Sequence, residues 1–413
     1  MNAPAYRLND APVASHRFLE RYLVNANDSL EAVDLRIEAS KFDPCLSLVF
    51  QRSGNAVGVI TTHIADLLGC GGKDVLPRMR KYLSNRFGLL EAQKDDFARI
   101  GMEALQGKDG SVEITQETST DLLDPTATSP SLRRDRNRAL TDEELQTCRS
   151  KLGELCWLAT VSRPDICARL ARFSANLNSL EVVGIYRIND LIKTVKKRQQ
   201  ECTLKYSAGL PTPAPRFLSC PDAGWGQTRP IHEDTMLLTG WSDAALGTHE
   251  RDGRCRLEHL IALMSSTLTG PVRIPQWASR FTRKRVKSSL GGKIFAVSEM
   301  WGHMDMIREF YTALGRKKLA PYELIGCESP LSHLRTGRLG AEKSLTRHFR
   351  SILGALASGD LGNIAWGPGT DNPADGVTKA TSDHGPLLQM LESGTYRPGR
   401  SEQLKGVSFL EKA

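Results

Sequence analysis

The densest run of chemically capable side chains is Arg280, Arg283, Lys284, Arg285 and Lys287, with Trp277 and Phe281 beside them. Guanidinium and ammonium groups neutralise phosphates and aromatic faces stack on bases, so the mixture suits a nucleic-acid backbone; a solvated basic loop is the competing reading. The whole chain leans the same way, with 55 Lys and Arg against 47 Asp and Glu and a net charge of +8 over 413 residues. That excess fits a polyanionic partner and an ordinary solvated surface alike, and does not decide between them. The nine cysteines are scattered with no C-x-x-C pair, which argues against a cysteine zinc site or a disulfide framework. A reducing intracellular compartment, cytoplasm or nucleus, is the expectation. No stretch approaches the ~18 consecutive apolar residues of a membrane span, and Met1–Asp10 lacks the layout of a signal peptide.

These side chains must be held by elements whose starts and stops can be read. Cys45–Phe50 and Ala56–Ile64 are β-rich runs around Arg52-Ser53-Gly54-Asn55, a hairpin pattern, and Asp66–Gly71 continues it. Val75, Met79, Leu83 and Phe87 fall at helical spacing. A second hairpin is expected around Gly107-Lys108-Asp109-Gly110. Thr141 with Glu144 forms a capping box, opening a helix that should end near Thr160 because Pro164 forces the preceding residue extended. Pro164 suits the first position of a second helix to about Ala175, and a third spans roughly 182–200. Pro211, Pro213 and Pro215 make a stiff linker. Beyond it, strands near 216–220, 235–242, 257–264, 321–326 and 362–366 alternate with helices near 290–313 and 341–357, an α/β pattern.

Three collinear segments resemble the polymerase polyprotein (Pol) of copia-type retrotransposons. They are Tyr6–Pro12, similar to that family's YGL-x-x-AP; Thr62–Leu68, at the place of its YVDD hairpin; and Leu155–Ile166, close to WLA-x-x-TRPDI. RNase H-like signatures follow: Gly240–Ala245, Gln276–Ser279 with Ser288–Leu290, and Ile364–Gly369 leading into Asn372–Lys379. The resemblance implies an α+β palm and thumb remnant of a reverse transcriptase followed by an RNase H-like α/β domain with a mixed sheet. The expected layout is a partial palm over 1–118, a helical thumb over 119–206, a linker over 207–216, the RNase H-like domain over 217–380 and a tail over 381–413. RNA–DNA hybrid or duplex nucleic acid is the implied partner, and Mg²⁺ the implied cofactor.

Both activities of such a family use clustered carboxylates that hold two magnesium ions about 4 Å apart. Magnesium wants oxygen ligands in tight octahedral geometry. By the resemblance, the polymerase's first metal-binding Asp lies upstream of Tyr6, and the hairpin pair reads Ala65-Asp66, so only Asp66 remains as a ligand, or is a plain turn aspartate. In the RNase H half, Asp243 matches the first carboxylate, with Asp222 a poorly spaced rival, and Asp375 matches the last. The second, a helical Glu, is replaced by Lys293. At about 4 Å and an effective dielectric near 20, each unit charge pair is worth roughly 4 kcal/mol, so a lysine there opposes a divalent ion strongly. Glu299, six residues on, points roughly 120° away at about 100° per residue. Gly326 stands where the third carboxylate belongs, with Glu328, two residues along the same strand face, as a stand-in. The expectation is a catalytically impaired reverse transcriptase/RNase H fragment. The alternatives are a working nuclease using Asp243, Glu328 and Asp375, or a non-enzymatic interaction protein.

Overall fold

The computed structural model describes residues 17, 19, 21–23, 34–63, 66–88, 92–208, 236–246, 254–265, 268–283, 285–315, 319–339, 343–378, 385–398 and 405–407. The segment Tyr6–Pro12, Ala65, the proline linker with Asp222, Lys284 and Lys379 lie outside them. The fold is mixed α/β, and the chain divides into two compact units, residues 1–93 with 306–318, and residues 94–305 with 319–413.

The smaller unit holds a four-stranded antiparallel sheet in the order β1-β2-β3-β4, comprising Leu35–Ala39, Leu46–Gln51, Ala56–His63 and Asp66–Gly71. Helix α1 (Val75–Phe87) buries Val75, Met79 and Leu83 against Leu35, Ile37, Val49 and Ile60, as the helical spacing anticipates. Gly54, at φ +87°, closes the β2–β3 turn in a conformation that disfavours any other residue.

The larger unit begins with a second antiparallel sheet, β5-β6-β7-β8 (Asp96–Arg99, Met102–Gln106, Val112–Thr115 and Leu204–Tyr206). Between β7 and β8, after two single-turn helices (Glu117–Asp121 and Pro130–Arg134), stand three longer ones. Helix α2 (Asp142–Val161) starts on the full capping box, with Glu144 N donating to Thr141 Oγ1 at 3.3 Å and Thr141 N to Glu144 Oε2 at 2.9 Å. Pro164 opens a 3₁₀ turn that runs into α3 (Cys167–Asn176), and α4 (Val182–Lys197) follows. Leu152, Leu155 and Leu158 of α2 interlock with Ile185, Ile188, Leu191 and Ile192 of α4.

A six-stranded mixed sheet completes the unit. Its order is β12-β10-β9-β13-β14-β16, formed by Arg273–Phe281, Arg256–Met264, Leu237–Ala245, Ala320–Ile325, Asn363–Trp366 and Lys405–Val407. β9, β10 and β12 are antiparallel neighbours, whereas β13 runs parallel to both β9 and β14. A small pair, β11 (Gly270–Pro271) with β15 (Thr395–Tyr396), flanks it. Helix α5 (Ser289–Ala313) packs so closely on β9 that a Cβ at Gly240 would lie 2.8 Å from the Met304 sulfur. Four further helices follow: α6 (Glu328–Thr336), α7 (Thr346–Ser358), α8 (Ala374–Thr378) and α9 (Gly385–Ser393).

Two elements depart from the sequence expectation. β12 is absent from the expected strands; Pro275 and its polar neighbours hide it, and a proline is tolerated because β12 is the sheet's edge. Residues beyond 380 were read as a tail, yet Leu387, Met390, Leu391 and Tyr396 enter the core, Tyr396 meeting Trp241 edge-on at 5.1 Å.

Candidate functional site: the carboxylate row of the mixed sheet

Strand pairing sets this site. Asp243 on β9 is the Cα partner of Glu258 on β10, and Glu258 is the partner of Ser279 on β12. Directly opposed residues share a sheet face, so the three side chains form one row. Ile325 pairs with Ser242, which carries the next residue, Gly326, alongside Asp243. Asp375 comes from α8, which packs on β9 and β10. Asp243 and Gly326 therefore lie side by side at one end of the sheet, with Asp375 near enough to Glu258 for its charge to act on it.

Lys293, in the second turn of α5, forms an ion pair with Asp243, contact being Nζ to Oδ1. The two side chains are only 15% and 4% exposed, so the ammonium occupies the space beside the row from which a cation would approach. Gly326 offers no side chain. A Cβ there would lie 3.3 Å from Asn372 Nδ2, a buried donor with no hydrogen-bond partner among the described residues. An acceptor at position 326 would meet that orphaned amide.

Glu258 was not singled out in the sequence, although a lone Glu inside the apolar run Leu257–Met264 is a signal for it. Burial pushes its carboxyl up to about 8. Arg256 pulls the other way through a 2.6 Å ion pair, while Asp375 adds a smaller upward push. Arg256 is itself anchored, its Nη1 donating to Ala168 O on α3 at 3.2 Å. Glu323 on β13 is fully buried and held well above the ordinary carboxylate range by burial, with Ser242 Oγ donating to it at 3.1 Å.

The remaining candidates are placed as follows. Glu328 does not continue the strand, because β13 ends at Ile325, Cys327 caps α6, and Glu328 is its exposed first residue. It lines a shallow surface pocket with Ser332 and Arg335 instead of joining Asp243. Asp66 is exposed at the start of β4, opposite His63. Trp277 is not presented for base stacking; its indole Nε1 donates to Ala159 O on α2 at 2.7 Å and it packs on the helical core. Arg280 extends from the edge strand and pairs with Glu299 at 2.6 Å, whereas Arg283, Arg285 and Lys287 are exposed just beyond. Glu299 thus faces β12 and not the carboxylate row.

A paired-magnesium site does not fit these residues. A cationic Nζ sits on the first carboxylate, a glycine stands for the third, and the added acid, Glu258, is held toward its neutral form by burial.

No protein-family model matches the chain, and no curated protein matches it. Among solved structures, an RNase H1 (LC11) isolated from compost by a metagenomic approach is similar at 10% identity, covering 34% of this chain and 91% of its own, with a TM-score of 0.26. A foamy viral protease-reverse transcriptase in complex with dsDNA is similar at 14% identity and a TM-score of 0.38, covering 85% of this chain. This chain spans 57% of the length of that viral protein. Neither likeness carries the fold assignment, which rests on the strand order and registers above.

Proposed function

We propose that the chain is a reverse transcriptase/RNase H-like protein of copia-type retrotransposon origin that binds RNA–DNA hybrid or duplex nucleic acid without cleaving it. The Lys293–Asp243 ion pair carries this reading, because it replaces metal charge with a fixed side-chain charge at the first carboxylate. Binding is assigned to the exposed basic residues Arg283, Arg285 and Lys287 at the sheet edge, with Arg280 and Lys284. Such a set grips phosphates without reading sequence. Glu328 leaves the carboxylate row by starting a helix, so the working-nuclease alternative has no support from it.

The test is a labelled RNA–DNA hybrid incubated with purified protein and either Mg²⁺ or Mn²⁺. The expected result is a retarded hybrid whose RNA strand stays intact. Cleavage by the wild-type chain that Asp243→Asn abolishes would overturn the proposal. Lys293→Glu combined with Gly326→Asp restores the acidic set and is expected to make nuclease activity depend on added metal.

A further inference from the structure

The face of β10 opposite the carboxylate row carries a different set of ligands. His259 alternates with Glu258 along the strand and turns to the α5 side, where Glu299 and His303 are presented one helical turn apart. One donor atom from each of the three lies within 4.8 Å of the others, the only such convergence of three ligand-type side chains among the described residues. His259 is 1% exposed, and its Nε2 has no hydrogen-bond partner among the described residues. An orphaned imidazole nitrogen inside a protein is costly unless something accepts or donates there.

We propose that His259, Glu299 and His303 form a binding site for one divalent transition-metal ion of the zinc type. Two imidazoles and one carboxylate are a ligand set that Zn²⁺ accepts, with a fourth position for water. Donors of a tetrahedral zinc site at 2.0–2.1 Å from the ion are roughly 3.3 Å apart, a span that small side-chain rotations reach from the arrangement seen. His303 already has an outer partner, as its Nδ1 lies 2.8 Å from the Gln276 side-chain amide. With that amide turned so that its oxygen faces the ring, Nδ1–H donates to Gln276 and Nε2 becomes the ligand, the arrangement by which outer residues orient metal-binding imidazoles.

Arg280 is the competitor. Its guanidinium pairs with Glu299 but its side chain is 59% exposed, so it can swing into solvent when a cation arrives. This gives the site a signature that a generic cluster of histidines lacks: removing a positive side chain should tighten binding. The inference does not depend on a nucleic-acid function, since none of the three ligands belongs to the basic set to which binding is assigned.

The experiment uses the full chain stripped with a chelator, titrated with Zn²⁺ by calorimetry and with Co²⁺ by visible absorption, and followed by thermal unfolding. One Zn²⁺ per chain is expected, raising the unfolding temperature by mass action. Co²⁺ should give ligand-field bands without the strong thiolate charge-transfer absorption that binding at the free cysteines would produce. His303→Ala and Glu299→Gln should each weaken binding by more than the roughly tenfold expected for Gln276→Ala. Arg280→Ala should tighten it, by about fivefold at most, as befits an exposed ion pair. Circular dichroism checks the fold of each variant, and His303→Gln serves as a milder replacement that keeps a polar contact with Gln276. Failure of the wild-type chain to bind Zn²⁺ at millimolar concentration would overturn the proposal, as would binding unchanged in folded His303→Gln and Glu299→Gln.

Discussion

Arg163 and Asp165, at 3% side-chain exposure each, are as buried as Asp243, but their surroundings are arranged differently. The Arg163 guanidinium forks onto both Asp165 oxygens at 2.8 Å, and its remaining arm, Nη1, donates to Val195 O at 3.0 Å. One charge meets one charge, and the leftover donor meets a carbonyl at the end of α4. In the sheet, Asp243 and Glu258 are brought side by side, with Asp375 near enough for its charge to act on Glu258. Lys293 pairs with Asp243, and Arg256 lies against Glu258. The helical pair is built to join two segments of chain. In the row, by contrast, acids from two strands come together near an acid from a helix, and the cations that meet them come from α5 and from β10 itself.

The contrast has consequences for stability. Asp165→Ala leaves Arg163 charged and buried beside α4, a change that costs about 3–5 kcal/mol by the usual measure of a broken buried pair. Chemical denaturation should show that loss, and a variant within about 0.5 kcal/mol of wild type would mean the fork does not hold the helices. Lys293→Gln is expected to cost less, about 1–3 kcal/mol, because Asp243 keeps a hydrogen-bonding neighbour while losing its charge partner. A stabilised Lys293→Gln would show instead that the ammonium is a burden in the row, and the comparison would collapse.

The helical region was legible because its signals are local. Thr141 and Glu144 announce the start of α2, Pro164 marks its end, and Val75, Met79 and Leu83 expose the buried stripe of α1 without any knowledge of neighbours. The sheet was only half legible. Lys293 and Gly326 stand out by comparison with a family pattern, but that Lys293 would reach Asp243 depends on the packing of α5 against β9. Glu258 and His259 were passed over because periodicity assigned Leu257–Met264 to a buried strand, and a strand reading asks nothing further of its polar members. Glu328 was misplaced for a related reason: alternation along β13 was extended past Gly326, where the chain bends and starts α6. Trp277 sits beside arginines in sequence, yet in an edge strand its ring turns to the helices while Arg280 turns outward.

A pH titration sharpens the comparison next. Glu258 holds its proton to about pH 8 when folded, against an ordinary value of 4.5. Between those values the native state binds more protons than the unfolded chain, so stability falls as pH rises, by at most about 1.4 kcal/mol per unit from this group. Glu323 contributes a fall of the same sign. Glu258→Gln should flatten the profile without abolishing it. An unchanged slope would indicate that Arg256 keeps Glu258 ionised throughout.

The smallest effect concerns the exposed basic residues that follow the edge strand. If Arg283, Arg285 and Lys287 contact phosphates, each neutralised phosphate contributes about −0.9 to the slope of log K against log salt on a duplex. Replacing Arg285 and Lys287 together by alanine should therefore reduce the magnitude of that slope by about 1.8. Affinity for different duplex sequences should drop by the same factor, since phosphate contacts carry no base information. Fluorescence anisotropy with two unrelated duplexes at several salt concentrations measures both quantities. A slope that stays the same in the double variant would remove Arg285 and Lys287 from the binding surface and return them to an ordinary solvated loop. A sequence-dependent drop would instead point to contacts with base edges.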